Sequence, residues 1–130
     1  MNQRVRILIT DDQQPTREGL KALLSLTSQI EVIGVAINGQ EAVRMVEKVH
    51  PNVVLMDLHM PVMDGLQATR LIKRQWPEVK VIALTVHPSY RTEALEAGAD
   101  AFLLKGCSTD LLQRLILKAG SPEAEHACKQ

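Results

Sequence analysis

Asp11, Asp12, Asp57, Thr85 and Lys105 each stand at or just past the end of a short apolar run. Three carboxylates brought together repel, and at least one stays protonated unless a cation joins them. Carboxylate oxygens suit Mg²⁺, a hard ion that binds through a few carboxylates and keeps several waters. An ionised aspartate beside such an ion is a nucleophile toward phosphorus, and its product is an aspartyl phosphate. Phosphoryl transfer needs positioning and neutralisation of the equatorial oxygens more than it needs covalent chemistry. Mg²⁺, the Lys105 ammonium and the Thr85 hydroxyl would supply that, so the set combines acceptor, metal site and clamp.

Taken singly, most of these residues have plainer readings. Asp11 and Asp12 suit a turn or a helix cap. Lys105 alone reads as a solvated lysine, and Thr85 alone as a strand-end hydroxyl. Asp57 is harder to set aside, because it directly ends the run Val53-Val54-Leu55-Met56, where an unpaired charge is costly. The joint arrangement across four strand ends argues against coincidence.

The elements that must position them follow from hydrophobic period. Runs at Val5 with Ile7–Ile9, Ile30–Ile37, Val53–Met56, Val79–Leu84 and Ala101–Leu104 read as strands buried on both faces, as in a parallel sheet. Between them the period becomes helical, at Leu20, Leu23 and Leu24, at Ala42, Val46 and Val49, and at Leu111, Leu112, Leu115 and Ile116. Asn38 with Glu41 and Asp64 with Gln67 have capping-box spacing, and Gly98 suits a helix stop. Alternating strands and helices predict a doubly wound α/β domain, in which ligands sit beyond the carboxyl ends of the strands. The second run ends in Ala36-Ile37-Asn38 and brings no charge to that rim.

Bulk properties agree with one such domain. The chain has 130 residues, 45% of them hydrophobic, which suits a single domain with its own core. Fifteen Lys and Arg balance fifteen Asp and Glu, so no surface-wide affinity for nucleic acid is expected. Cys107 and Cys128 form neither a disulfide framework nor a C-x-x-C metal pair. The polar start and the short run Ile7–Ile9 predict no signal peptide and no membrane span, and hence a cytoplasmic protein. Residues 1–120 are expected to form the domain. Residues 121–130, opening with Ser121-Pro122-Glu123, read as a tail or the start of a linker.

Together, Asp11-Asp12, Val53 to Asp57, Met60-Pro61-Val62-Met63-Asp64-Gly65, Leu84-Thr85 and Phe102-Leu103-Leu104-Lys105 resemble the receiver domain of a two-component response regulator. The similarity covers about residues 4–119, and the stretch Ala97 to Lys105 is most similar to receivers of the NarL/FixJ (LuxR-type) subfamily. The resemblance implies a single (βα)5 flavodoxin-like, CheY-like domain with strand order 2-1-3-4-5. It implies Asp57 as phosphoacceptor. It also implies Mg²⁺ (or Mn²⁺) on Asp11, Asp12, Asp57 and the backbone carbonyl of His59. Thr85 would bond the phosphoryl group, Lys105 would pair with one of its oxygens, and Phe102 would be the aromatic switch that follows Thr85. The output surface would be the fourth helix, fifth strand and fifth helix. Implied partners are a sensor histidine kinase and a C-terminal helix-turn-helix domain in a longer parent chain. These residues themselves are expected to bind no nucleic acid and no membrane, and to be monomeric or a weak dimer promoted by phosphorylation. Such a domain gains and loses its own phosphoryl group and is not a multi-turnover enzyme.

Three departures from the family pattern stand out. Gly106 follows Lys105 where many receivers have proline, a residue that LuxR-type receivers often lack. Val86 follows Thr85 where a smaller residue is usual, and would narrow access to Asp57 and slow small phosphodonors. His59 and His87, two positions after Asp57 and Thr85, fall where the family tunes phosphate lifetime; solvated loop histidines are the plainer reading. Other functions fit these residues less well, and a nucleotide- or flavin-binding domain of this architecture lacks a G-x-G-x-x-G or P-loop motif. A haloacid-dehalogenase-type phosphatase would need an acidic residue where His59 stands, and a cap domain. A phosphate-independent interaction module would be expected to have lost the acidic pocket, which is intact here.

Overall fold

The computed structural model describes residues 4–120. Five strands form one sheet: β1 (Val5–Thr10), β2 (Ile30–Ala36), β3 (Val53–Asp57), β4 (Lys80–Thr85) and β5 (Ala101–Leu104). Their order is β2-β1-β3-β4-β5, with every neighbouring pair parallel. Four helices connect them, α1 (Gln14–Leu24), α2 (Gly39–Val49), α3 (Gly65–Gln75) and α4 (Arg91–Glu96), and α5 (Thr109–Ala119) follows the last strand. A 3₁₀ turn over Pro88–Tyr90 leads into α4. The fold class and strand order expected from the sequence are those observed.

The runs are continuous because the central strands feed two cores. Ile7, Ile9, Val53 and Leu55 point to one face and pack with Leu24 of α1 and Leu112 and Ile116 of α5. Their neighbours Leu8, Val54 and Met56 point to the other and pack with Ala42 and Val46 of α2 and Ala68 and Ile72 of α3. A third, smaller cluster joins Leu58, Ala83, Ala94 and Ala99, with Phe102, Tyr90 and Leu66 against it. Side-chain alternation along each strand produces this split. At about 25 cal/mol per Å² of apolar area, cores on both faces fix the strands firmly.

Two of the five helix starts follow the sequence signals. Asn38 accepts from Glu41 N at 2.8 Å, and Asp64 accepts from Gln67 N at 2.8 Å. The Glu41 carboxylate reaches back to Ile37 N at 3.1 Å, so the box at α2 closes one residue before the cap. Ser108, which sequence spacing did not mark, caps α5 by accepting from Leu111 N. Gly98 follows α4 at φ +106°, a conformation that suits glycine. The expected cap at Ser121-Pro122, and Cys128, lie outside the described residues.

Strand order sets the site. β1 has β2 on one side and β3 on the other, so the direction in which strands are added to the sheet reverses between β1 and β3. The crevice of a doubly wound sheet opens at such a switch point. Asp11 and Asp12 emerge there from β1, and Asp57 is the last residue of β3.

Candidate functional site

Asp11, Asp12 and Asp57 each offer a carboxylate oxygen within 4.8 Å of the others. Lys105 enters from beyond β5, with its Nζ 2.9 Å from Asp11 Oδ2 and 3.3 Å from Asp57 Oδ1. The four residues expected to meet from the first, third and fifth strand ends therefore do so. Asp11 is 1% exposed and Asp57 3%, while Asp12 is half-buried.

Backbone contacts hold the carboxylates in place. Asp11 Oδ1 accepts from Gln13 N at 2.9 Å, an Asx turn that opens α1. The turn reading of Asp11 and its place in the cluster are thus both realised. Arg17 Nη1 donates to the Asp11 carbonyl at 2.8 Å. Asp57 Oδ1 accepts from His59 N at 3.3 Å. Among the described residues, Asp12 has no hydrogen bond or ion pair.

Burial pushes the Asp57 carboxyl above its ordinary range, and the Asp11 charge adds to this. The His59 N–H and Lys105 oppose the shift without reversing it. Burial alone would pull Lys105 down, but its bond to Asp11 and the charges of Asp57 and Asp11 raise it instead. Three carboxylates against one ammonium leave a local excess of negative charge. A divalent oxygen-seeking cation would balance it, and the half-buried, unpartnered Asp12 offers such an ion a ready oxygen. The donor set therefore fits Mg²⁺ or Mn²⁺.

Thr85 is fully buried at the end of β4. Its Oγ1 accepts from His87 N at 3.2 Å, and no hydrogen bond joins it to Asp57 among the described residues. Its backbone carbonyl accepts from Lys105 N at 2.8 Å, which ties the two strand ends together. Phe102 is half-buried on β5 against the Leu58, Ala83, Ala94 and Ala99 cluster.

A cleft of about 360 Å³ opens beside the carboxylates, lined by Asp12, Leu58, His59, Asp64, Leu66 and Tyr90 among others. Val86 is 60% exposed and is not among the residues that line the cleft. His59 and His87 are exposed, yet their rings meet edge to face at 5.1 Å between centroids. Tyr90 joins them, 4.6 Å from His59. Strand-end reasoning missed Tyr90 because it sits in the 3₁₀ turn before α4. Its one signal is that it is the chain's single tyrosine, five residues past Thr85.

Gly65 is a second residue that sequence reasoning left without a role. A Cβ there would collide with the Asp57 carbonyl oxygen and come within 2.8 Å of Leu58 Cα. The start of α3 thus rests directly on the backbone of the Asp57 strand end. Gly65 N also donates to Leu58 O at 3.3 Å.

Residues 7–117 match the model of a known family, the response regulator receiver domain. The transcriptional regulatory protein LnrK of Bacillus subtilis is 43% identical over 119 residues, covering 90% of this chain and 54% of that protein. DegU of Brevibacillus brevis is 41% identical over 111 residues, covering 84% of this chain and 47% of that protein. The chain thus spans about half the length of these curated relatives. Among solved structures, the signal receiver domain of the putative response regulator NarL from Mycobacterium tuberculosis superposes with a TM-score of 0.84 at 31% identity, covering 91% of this chain and 97% of that one. A LuxR-family DNA-binding response regulator from Staphylococcus aureus gives a TM-score of 0.83 at 31% identity, covering 90% of this chain and 99% of that one.

Proposed function

The chain belongs to the response regulator receiver family, and from that premise we propose that it is a switch set by phosphorylation of Asp57. The observation that carries this reading is Lys105 bridging Asp11 and Asp57 while Asp12 has no partner beside them. A carboxylate oxygen of Asp57 attacks the phosphorus of the donor and forms an acyl phosphate. The bond to the leaving group breaks, and the leaving group keeps the electron pair: the imidazole of a phosphohistidine, or acetate from acetyl phosphate. Asp11, Asp12, Asp57 and the His59 carbonyl would hold Mg²⁺ or Mn²⁺. When bound, the ion offsets the negative charge on the phosphoryl oxygens.

The other residues divide the remaining work. Lys105, already in contact with Asp57, pairs with a phosphoryl oxygen. Thr85 uses its hydroxyl oxygen as an acceptor from His87 N, so its proton is available for a phosphoryl oxygen once Thr85 turns toward Asp57. Phe102 turns inward as Thr85 moves. Moving such an equilibrium from 1:99 to 99:1 takes about 5.5 kcal/mol. Hydrogen bonds to charged groups, at about 1.5–3 kcal/mol each, reach that sum with two to four contacts.

The readout surface is α4, β5 and α5, where Leu95, Leu104 and Leu111 are exposed. A sensor histidine kinase supplies the phosphoryl group in the cytoplasm. A C-terminal helix-turn-helix domain in a longer parent chain takes up the signal, since the matched relatives include transcriptional regulatory proteins about twice this length. Residues 1–120 form the receiver and 121–130 the start of the linker. The domain alone binds no DNA, is monomeric or a weak phosphorylation-promoted dimer, and hydrolyses only its own phosphoryl group. Among the described residues no helix is long and apolar enough to cross a membrane.

Intact-mass measurement after incubation with Mg²⁺ and acetyl phosphate tests the reading. A phosphoryl adduct that requires Mg²⁺ and is absent from Asp57→Ala supports it. No adduct from acetyl phosphate or from a phosphorylated histidine kinase overturns it in favour of a phosphate-independent interaction module.

A further inference from the structure

Tyr90 belongs to neither the acidic cluster nor any strand end, yet it touches both the mouth of the site and the core beneath α4. Its ring stands edge to face on His59, with centroids 4.6 Å apart at 82°, and lies 6.1 Å from His87. His59 and His87 meet at 5.1 Å and 80°. The three rings come from two loops, one after β3 and one after β4. Tyr90 and His59 line the cleft together with Asp12. The Tyr90 hydroxyl has no hydrogen bond among the described residues, so the ring, not the hydroxyl, makes the contact. Behind it, Tyr90 packs on the cluster of Leu58, Ala83, Ala94 and Ala99, the one that also receives Phe102.

His59 is tied to the acceptor by its backbone, through the 3.3 Å bond from its N–H to Asp57 Oδ1. Its imidazole is exposed and makes no hydrogen bond among the described residues. What fixes the ring is edge contact with Tyr90 and His87. Edge-to-face aromatic pairs have a definite geometric preference, so removing one ring frees the other.

We propose that Tyr90 is a positioning residue that braces the His59 ring across the mouth of the cleft, so that the segment entering α4 governs water access to phosphorylated Asp57. The inference rests on the phosphoacceptor reading given above. Loss of the phosphoryl group is attack by water on phosphorus. The bond from phosphorus to the Asp57 oxygen breaks, the carboxylate leaves with the electron pair, and inorganic phosphate departs with the water's oxygen and one of its protons while the other proton passes to solvent. A braced ring narrows the approach of that water. Because Tyr90 shares its core cluster with Ala94 of α4, displacement of α4 carries the brace with it. A partner bound on α4 would then alter phosphate lifetime.

The test is the lifetime of the phosphoryl adduct after donor removal, read by intact mass for wild type, Y90A, Y90F, H59A and the double variant H59A/Y90A. Thermal melts serve as a control for folding. The ¹H shifts of the His59 ring, read by NMR in the unphosphorylated proteins, report directly on the brace. Y90A is expected to shorten the lifetime about threefold to tenfold, the range that one aromatic edge contact spans. Y90F keeps the wild-type lifetime and the His59 ring shifts, and Y90A moves those shifts. H59A/Y90A decays no faster than H59A, because the two rings act as one unit. An unchanged or longer lifetime in Y90A, unmoved His59 shifts, or effects that multiply in the double variant would overturn the brace while leaving Asp57 as acceptor. No adduct on the wild-type chain from any donor would instead overturn the acceptor reading, and this inference with it.

Discussion

Lys105 Nζ lies closer to Asp11 Oδ2, at 2.9 Å, than to Asp57 Oδ1, at 3.3 Å, although 94 residues separate Lys105 from Asp11. The ammonium is therefore shared between a residue proposed for the metal and the proposed acceptor. Such a placement neutralises the pocket partly and leaves Asp57 an unshared oxygen for attack. It also makes the pocket's charge balance depend on one long side chain that is about a quarter exposed. Lys105→Met leaves three carboxylates without a cation. The variant is expected to melt below wild type at neutral pH, to recover part of the gap at acid pH as the carboxylates protonate, and to gain more from Mg²⁺ than wild type does. Melting curves at two pH values, with and without Mg²⁺, check this. A Mg²⁺ gain no larger than that of wild type would refute it.

Asp57 supplies a second stability test with a definite sign. Burial first, and the Asp11 charge second, raise its pKa in the folded state. A raised carboxyl pKa means the native state binds the proton more tightly than the unfolded chain does. The ionised form therefore costs stability above the folded pKa, and that cost fades as pH falls toward the unfolded value of about 3.9. Asp57→Asn removes the cost. It should melt above wild type at neutral pH in the absence of divalent ions, and the difference should close under acid conditions. Equal melting temperatures at neutral pH would show that Lys105 already offsets the burial.

Metal addition tests the donor set itself. A ligand that binds only the native state stabilises it by about 2.7 kcal/mol at a hundred times its Kd. Mg²⁺ should raise the melting temperature of wild type, and EDTA should return it. Asp12→Asn should abolish most of the rise with little effect on the metal-free melt, because Asp12 makes no hydrogen bond or ion pair among the described residues. An Asp12→Asn variant that keeps the full Mg²⁺ response would remove Asp12 from the site.

The fold was legible because its strands are buried on both faces, and a fully apolar run such as Val53-Val54-Leu55-Met56 leaves few other readings. Asp11, Asp12, Asp57 and Lys105 were legible because a doubly wound sheet sends its strand ends to one rim. Tyr90 was not, since its position depends on how the Pro88–Tyr90 turn folds back, which no periodicity encodes. Nor was the state of Thr85, whose hydroxyl is held by His87 N rather than by Asp57. The steric role expected of Val86 rested on adjacency in sequence. At the end of β4 the chain turns that side chain outward, 60% exposed. The register shift between Ile7 and Leu8 where β2 pairs with β1 was equally hidden, because local hydrophobicity does not report a bulge.

Gly65 connects the start of α3 to the acceptor strand. A methyl group added there meets the Asp57 carbonyl oxygen, backbone that has no rotamer by which to yield. Overpacking of this kind typically costs about 1–3 kcal/mol. Gly65→Ala should therefore lower the melting temperature and also slow phosphorylation of Asp57, since relief of the clash shifts the strand end that carries the carboxylate. Gly19→Ala is the control, because a Cβ at Gly19 meets nothing within 4 Å. A Gly65→Ala variant with wild-type stability would mean that α3 moves freely against β3.

Thr10 is 2% exposed, and its Oγ1 is the one buried side-chain polar atom without a hydrogen-bond partner among the described residues. It sits on β1 directly before Asp11, paired with Ala36 and Met56 on the neighbouring strands. Thr and Val have nearly the same shape, so the substitution Thr10→Val deletes an unsatisfied hydroxyl and little else. An unpaired buried hydroxyl costs about 1–3 kcal/mol, and part of that should return as stability. Thr10→Val is expected to raise the midpoint of urea unfolding without changing the slope, and to leave the Mg²⁺ response intact. A loss of stability would reveal that the hydroxyl has a partner, with a bound water as the candidate, and that Thr10 belongs to the polar network of the site rather than to the core.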